Sequence, residues 1–285
     1  MPELPEVETI VRELRRRHLI GCRISGVTLH WPGIVARKSL GIFANTLRLR
    51  RIETISRRAK YIVIGLNGGV YILIHLRMTG RFCLEKAPGH PYSAVRLELQ
   101  LDDGRLLKYI DPRKFGRWVL TTDPERELAR LGPEPLGKGF TVDYFSERIK
   151  ACRRQVKPLL MDQSFVAGIG NIYADEALWM AKLHPCRSSD GLRHDEIDAL
   201  YMAIRTVLRQ GIRNRGTSLG RGKQNFKAPD GQHGGNQPFL KVFRRTGEPC
   251  HRCGTAIQRL VVGQRGTHVC PACQVRLSLP LCASR

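Results

Sequence analysis

The stretch Val95-Arg-Leu-Glu-Leu-Gln-Leu101, followed by Asp102-Asp-Gly104 and Arg105-Leu-Leu-Lys-Tyr-Ile110, decides how the first half of the chain folds. Apolar residues at 95, 97, 99 and 101 alternate with polar ones, the period of a half-buried strand, and Asp-Asp-Gly is turn chemistry. The same signature recurs outward from it, over 23–30, 46–55, 61–66, 70–76 and 117–121, with Asn67-Gly68-Gly69 marking a hairpin. Antiparallel strands at this spacing over about 120 residues predict a β-sandwich or barrel. Ahead of them, Val7, Ile10, Val11 and Leu14 fall at helical spacing, with Arg12, Arg15, Arg16 and Arg17 on other faces. That helix would pin the N-terminus against the sheet core.

Past residue 122 the pattern changes. Pro133, Pro135, Gly137 and Gly139 read as a linker, and helical periodicity follows over 143–153, 156–161, 171–183 and 193–213. Between two of these helices, Val166-Ala-Gly-Ile-Gly-Asn171 is a glycine-bearing turn with Asn171 placed as an N-cap. Its amides could hold a phosphate, although an ordinary helix corner is the commoner meaning of one Gly-x-Gly.

The chain has 285 residues, 42% of them hydrophobic, which is enough for two cored domains. Forty-eight Lys and Arg against 25 Asp and Glu leave a formal charge of +23, pointing to a polyanion such as nucleic acid ahead of an anionic membrane surface. No stretch approaches the roughly 20 apolar residues of a membrane span, and acids stand where a signal peptide would be basic, so a cytoplasmic protein is expected. Residues 199–229 contain no acid but carry Arg205, Arg209, Arg213, Arg215, Arg221, Lys223 and Lys227. Residues 221–238, rich in Gly, Lys, Asn and Gln, are expected to form a mobile loop.

Cys250-x2-Cys253 and Cys270-x2-Cys273, sixteen residues apart, have the spacing of a closed, structural four-thiolate zinc site. An iron–sulfur cluster, the other reading, usually shows different spacing. Between the two knuckles, residues 260–268 read as a β-hairpin whose tip presents Arg265, and a ribbon this small needs its metal to fold. Cys22, Cys83, Cys152, Cys186 and Cys282 lack such partners and are expected to be buried or idle thiols.

The N-terminus, Met1-Pro-Glu-Leu-Pro-Glu-Val-Glu-Thr9, carries a chemical possibility of its own. Loss of Met1 would turn the Pro2 nitrogen into a free secondary amine able to attack an aldehyde carbon, with the Glu3 carboxylate beside it for proton transfer. From these residues alone, the favoured reading is that Pro2 and Pro5 only open a helix.

With these pieces in hand, the chain resembles the formamidopyrimidine-DNA glycosylase family over essentially its whole length. The matching stretches are PELPEVET at 2–9, RRAKYI at 57–62, HLRMTGRF at 75–82, DPRKFGRW at 111–118, LGPEPL at 131–136, GIGNIYADEAL at 168–178 and GQRGTH at 263–268. The resemblance implies an α+β protein: an N-terminal helix plus antiparallel β-sandwich over 1–125, a linker at 126–140, a helix-two-turn-helix domain with a lesion-covering loop over 141–238, a zinc finger over 239–276 and a tail at 277–285. It implies a monomeric glycosylase and lyase acting on duplex DNA that contains a damaged base. Pro2 would be the nucleophile toward C1′ and Glu3 its proton shuttle. Lys60 and Arg265 would neutralise flanking phosphates and assist elimination, and Asn171 would grip the backbone. Met78, Arg113 and Phe115 would fill the space left by the everted nucleotide, with His75, His90 and Arg153 as further DNA contacts. One structural Zn2+ on Cys250, Cys253, Cys270 and Cys273 completes the implied set.

The loop over residues 220–231 is more basic and glycine-rich than the family's usual version, which bears on lesion preference. Two other readings compete. An endonuclease VIII-like enzyme for oxidised pyrimidines would not carry Leu4 or the Met78, Arg113, Phe115 set. A zinc-ribbon DNA-binding protein without chemistry leaves Pro2, Glu3 and Lys60 as coincidences.

Overall fold

The computed structural model describes residues 1–36, 40–87, 92–220 and 226–276, with only the backbone of Leu40 described. His90, Cys282, the loop residues 221–225 and the tail 277–285 lie outside the described residues. The chain divides into two compact units, Met1–Arg130 with Gly211–Pro238, and Leu131–Gln210 with the chain from Phe239 onward. No helix among the described residues is long and apolar enough to cross a membrane.

The first unit opens with α1 (Leu4–Arg16) and β1 (Ile24–Leu29), then β2 (Val35–Ala36), α2 (Leu40–Leu47), β3 (Ile52–Arg58), β4 (Tyr61–Leu66) and β5 (Val70–His75). It continues through β6 (Arg81–Lys86), β7 (Val95–Leu101), β8 (Arg105–Ile110), β9 (Arg117–Thr121) and the short α3 (Pro124–Leu128). The strands make two sheets, ordered β1-β7-β8-β6 and β2-β9-β5-β4-β3. Every pair is antiparallel except the two-residue β2–β9 contact. Leu97 and Leu99 of β7, Leu107 and Tyr109 of β8, and Ile62, Ile64, Ile72, Ile74 and Trp118 of the other sheet fill the core with Val7, Ile10, Val11 and Leu14 of α1. Burying each of those four helix side chains contributes roughly 1.5–3 kcal/mol, so the N-terminus is held by packing rather than by helix propensity. Phe82, Tyr109 and Trp118 meet edge to face at 5.4–5.8 Å between ring centres.

Two expectations for this unit are corrected. Residues 46–55 are not one strand: α2 runs to Leu47 and extended chain begins at Ile52. Phe43 and Leu47, one helical turn apart, are both fully buried, whereas Leu49 is 68% exposed at φ 65°, so the alternation there was accidental. Residues 226–238 are not an open loop either. Lys227 bridges His233, Thr217 bridges Gly235, and the buried Asp230 carboxylate lies 2.7 Å from Arg215 Nη2.

The second unit holds α4 (Val142–Lys150), α5 (Val156–Met161), α6 (Asn171–Met180), most of α7 (His194–Arg213), and a hairpin of β10 (Gln258–Val262) and β11 (Arg265–Val269). The hairpin turns on Gly263 and Gln264, both in the left-handed region at φ 55° and 61°, the geometry of a two-residue primed turn. The tip is therefore Gly263-Gln264, and the expected tip residue Arg265 is the first residue of β11, paired with Val262.

Candidate active site and zinc ribbon

In the first unit the N-terminal residues are fixed by a capping arrangement. Glu3 is the N-cap of α1 and only 3% exposed, and its backbone N–H donates to Glu6 Oε2 at 2.8 Å. The other oxygen of the buried Glu6 carboxylate accepts the Thr217 N–H at 2.7 Å. One side chain thus holds both the start of α1 and the stem of the 217–238 segment. Glu6 was missed as a functional residue; its sequence signal was the Glu3-x-x-Glu6 spacing of a capping box. Pro2 is buried, and Met1 beside it is exposed.

Lys60 sits in the two-residue turn between β3 and β4, after Ala59 at φ 53°, and is buried. The β4–β5 register puts Tyr61 opposite His75, ring edge to face at 4.8 Å. His75 Nδ1 accepts the Arg77 N–H at 3.0 Å, which leaves the neutral ring's proton on Nε2. Burial, reinforced by the positive charges of Arg77 and Lys60, holds the His75 pKa down at about 3. Lys60 and His75 therefore share one corner, offering a cation and a neutral N–H donor.

Met78 and Phe115 are 47% and 45% exposed, large apolar side chains left outside the core. They occupy separate turns, after β5 and before β9, and Arg113 joins them: its Nη1 is 3.1 Å from Met78 Sδ, and its guanidinium lies 4.6 Å from the centre of the Phe115 ring. These three residues form one exposed wedge.

In the second unit Gly170 is the N-cap of α6 and Asn171 the first helical residue, one position from where the sequence placed the cap. Gln163 builds the preceding turn by accepting the Gly168 N–H and donating to the Ile169 carbonyl, both at 2.9 Å, while Gly168 takes φ 94°. The displaced Asn171 side chain donates from Nδ2 to the carbonyl oxygen of Gly266 at 3.0 Å, next to the exposed Arg265. Beneath that contact, Lys157 Nζ lies 2.6 Å from Asp175 Oδ1 and donates to Thr267 Oγ1 at 2.7 Å, both charged groups being fully buried. Asp175 Oδ2 accepts the His268 N–H at 2.9 Å. This support was not foreseen, because Lys157 and Asp175 look like any helix-surface charges in sequence. Arg153 stands apart, 91% exposed and 3.7 Å from Asp190.

The sulfurs of Cys250, Cys253, Cys270 and Cys273 all lie within 4.8 Å of one another, with Cys253 3.4 Å from Cys270 and Cys250 4.0 Å from Cys273. Four thiolates about 2.3 Å from one tetrahedral zinc stand close to 3.8 Å apart, so the cluster fits a single structural zinc ion. The Trp179 indole N–H, 3.4 Å from Cys250 Sγ, supplies the outer-shell hydrogen bond such a site needs. Glu176, on α6, accepts the N–H groups of Lys241, Val242 and Phe243 at 2.8–2.9 Å and so fixes the chain entering the ribbon. Burial raises the Glu176 pKa against the lowering effect of those amides.

Comparison with known proteins matches the same three segments. The family model for the formamidopyrimidine-DNA glycosylase N-terminal domain matches residues 1–118, that for its H2TH domain residues 131–221, and that for the zinc finger found in FPG and IleRS residues 247–275. The formamidopyrimidine-DNA glycosylases of Protochlamydia amoebophila and Herpetosiphon aurantiacus are 45% and 47% identical, each over 96% of this chain and 99% and 100% of their own. The Lactococcus lactis Fpg solved with DNA containing an abasic site superposes with a TM-score of 0.88 at 35% identity, over 96% of this chain and all of that one.

Proposed function

Because this chain belongs to the formamidopyrimidine-DNA glycosylase family, we propose that it excises an oxidised purine from duplex DNA through a Schiff base on Pro2 and then cleaves the strand. The chain is a DNA glycosylase of base-excision repair. Once Met1 is removed, the Pro2 amine attacks C1′, the bond from C1′ to the base breaks, and the sugar ring opens to an iminium as Glu3 delivers a proton to the ring oxygen. The iminium acidifies the C2′ hydrogen, so β-elimination expels the 3′ phosphate and δ-elimination the 5′ phosphate. Lys60 and Arg265 neutralise the flanking phosphates, and Asn171, His75 and the amides of the 166–170 turn hold the backbone. Arg153 and His90 are proposed as further DNA contacts.

To expose C1′ the nucleotide must leave the stack, at a cost of a few kcal/mol. The wedge of Met78, Arg113 and Phe115 offsets that cost by filling the vacated space. The observation that carries the proposal is the fixing of Glu3, and so of the Pro2 nitrogen, by the buried Glu6 carboxylate, with the exposed Met1 as the part to be removed. The protein would act as a monomer in the cytoplasm, in a domain plan of a sandwich at 1–125, a helical region that starts at 141 and a ribbon at 239–276, with Gly211–Pro238 grouped with the first unit rather than with the helical region as the sequence reading had it.

The second reading, an enzyme preferring oxidised pyrimidines, is separated by lesion choice. Duplexes carrying 8-oxoguanine, formamidopyrimidine, hydantoin or dihydrouracil, incubated side by side, should be cleaved fastest at the purine lesions. Faster release of dihydrouracil would overturn the purine preference and favour the second reading.

A further inference from the structure

The wedge stands on two turns, and both are fastened to one buried carboxylate. Asp111 is 1% exposed, begins the second turn and belongs to none of the roles above. Its Oδ1 accepts the Thr79 hydroxyl at 2.5 Å, one residue after Met78, and its Oδ2 accepts the Gly116 N–H at 2.8 Å, one residue after Phe115. Its main chain is tied down as well. The Asp111 N–H donates to the Ala94 carbonyl at 2.9 Å, and the Asp111 carbonyl accepts from Arg96 Nε at 2.8 Å and from the Lys114 N–H at 3.2 Å. The Tyr109 hydroxyl lies against both turns, because a Cβ on either Gly80 or Gly116 would run into it. Arg77 and Lys114, which precede Met78 and Phe115, both take left-handed φ, at 54° and 59°. That backbone is costly for residues with side chains and persists only where the surroundings enforce it.

We propose that Asp111 is a positioning residue that locks the Met78 turn and the Arg113–Phe115 turn into one rigid element, so that the three side chains enter the DNA stack together. The proposal rests on the reading above that these side chains displace the damaged nucleotide. An asparagine at 111 can keep both ties, its oxygen accepting from Gly116 and its amide donating to the Thr79 oxygen. An alanine keeps neither, and Thr79→Val removes only the Met78 tie while leaving the Gly116 tie in place.

The test compares Asp111→Ala, Asp111→Asn, Thr79→Val and the unaltered protein on two substrates, a duplex with a paired 8-oxoguanine and one with an abasic site, where no base has to be extruded. With 2-aminopurine beside the lesion, stopped-flow fluorescence reports unstacking directly. Asp111→Ala and Thr79→Val are expected to slow both unstacking and 8-oxoguanine excision by roughly ten- to a hundredfold, because misplacement by about 1 Å is enough for such a loss. Cleavage of the abasic duplex should fall much less, and Asp111→Asn should behave close to the unaltered protein. Unstacking at the normal rate in both Asp111→Ala and Thr79→Val, or equal loss on both substrates with normal unstacking, would overturn the proposal. Failure of the unaltered protein to cleave the abasic duplex would instead sink the underlying reading of the chemistry.

Discussion

Asn171 Nδ2 donates to the carbonyl oxygen of Gly266 at 3.0 Å, so the first turn of α6 and a hairpin 95 residues later share a hydrogen bond beside Arg265. A residue expected to grip DNA is also a strut for another. Replacing Asn171 by Ala should cost the second unit about 0.5–1.5 kcal/mol of stability, one net hydrogen bond, and weaken binding to a lesion duplex by more than loss of one phosphate contact would. Thermal melting and fluorescence anisotropy check the two parts.

The ribbon that carries Arg265 is too small to fold on its own apolar contacts, and its Cys250 Sγ already receives the Trp179 N–H. Chelation of the metal is therefore expected to abolish lesion-DNA binding, with recovery when zinc is returned. Unchanged affinity after metal removal, verified by metal analysis, would show that the hairpin stands without it.

Lys157 and Asp175 are fully buried and 2.6 Å apart. Lys157→Met alone leaves the buried Asp175 carboxylate with its His268 hydrogen bonds but without its lysine and should destabilise the protein by about 3–5 kcal/mol, whereas Lys157→Met with Asp175→Leu should be much milder. Denaturant unfolding of the two variants tests this, and equal losses would mean that the Thr267 and His268 hydrogen bonds, rather than the charge pair, dominate.

His75 gives a pH dependence of known sign. Its folded pKa, about 3, lies below its ordinary value of 6.5, so between those values the unfolded chain takes up a proton that the folded chain refuses. The stability it contributes is present above pH 6.5 and is lost as the pH falls toward 3. A His75→Gln variant should show a shallower decline across that window in denaturation at stepped pH. An unchanged slope would assign the decline to other groups.

The parts of the fold that were legible are those where burial imposes a period. The strands at 61–66, 95–101, 105–110 and 117–121 and the helix at 156–161 match the sequence reading residue for residue, and at 95–101 and 117–121 burial alternates as the sequence does. The 40–47 helix was not legible: Thr46-Leu47-Arg48-Leu49-Arg50 alternates by composition, while the buried Phe43 and Leu47 obey helical spacing. The zinc site was legible because its chemistry is local, carried by two pairs of cysteines at fixed spacing. It was not legible where one side chain serves partners far along the chain. Glu6 reaches Thr217, Lys157 reaches Thr267, and Asp111 reaches Thr79, pairings that only the folded chain brings about. The return of 211–238 to the first unit was hidden for the same reason, since its base is held by Glu6 and by Glu13, whose carboxylate lies 3.7 Å from Arg215.

The proposed chemistry depends on Pro2, freed of Met1, acting as the nucleophile. Borohydride reduction of the Met1-free protein on a duplex with a single lesion should yield a covalent protein–DNA adduct whose peptide map places the DNA on Pro2. A Met1-retaining form and Pro2→Gly test the amine. Failure of the Met1-free protein to form an adduct, or full-strength adduct formation in the Met1-retaining form or away from residue 2, would contradict it.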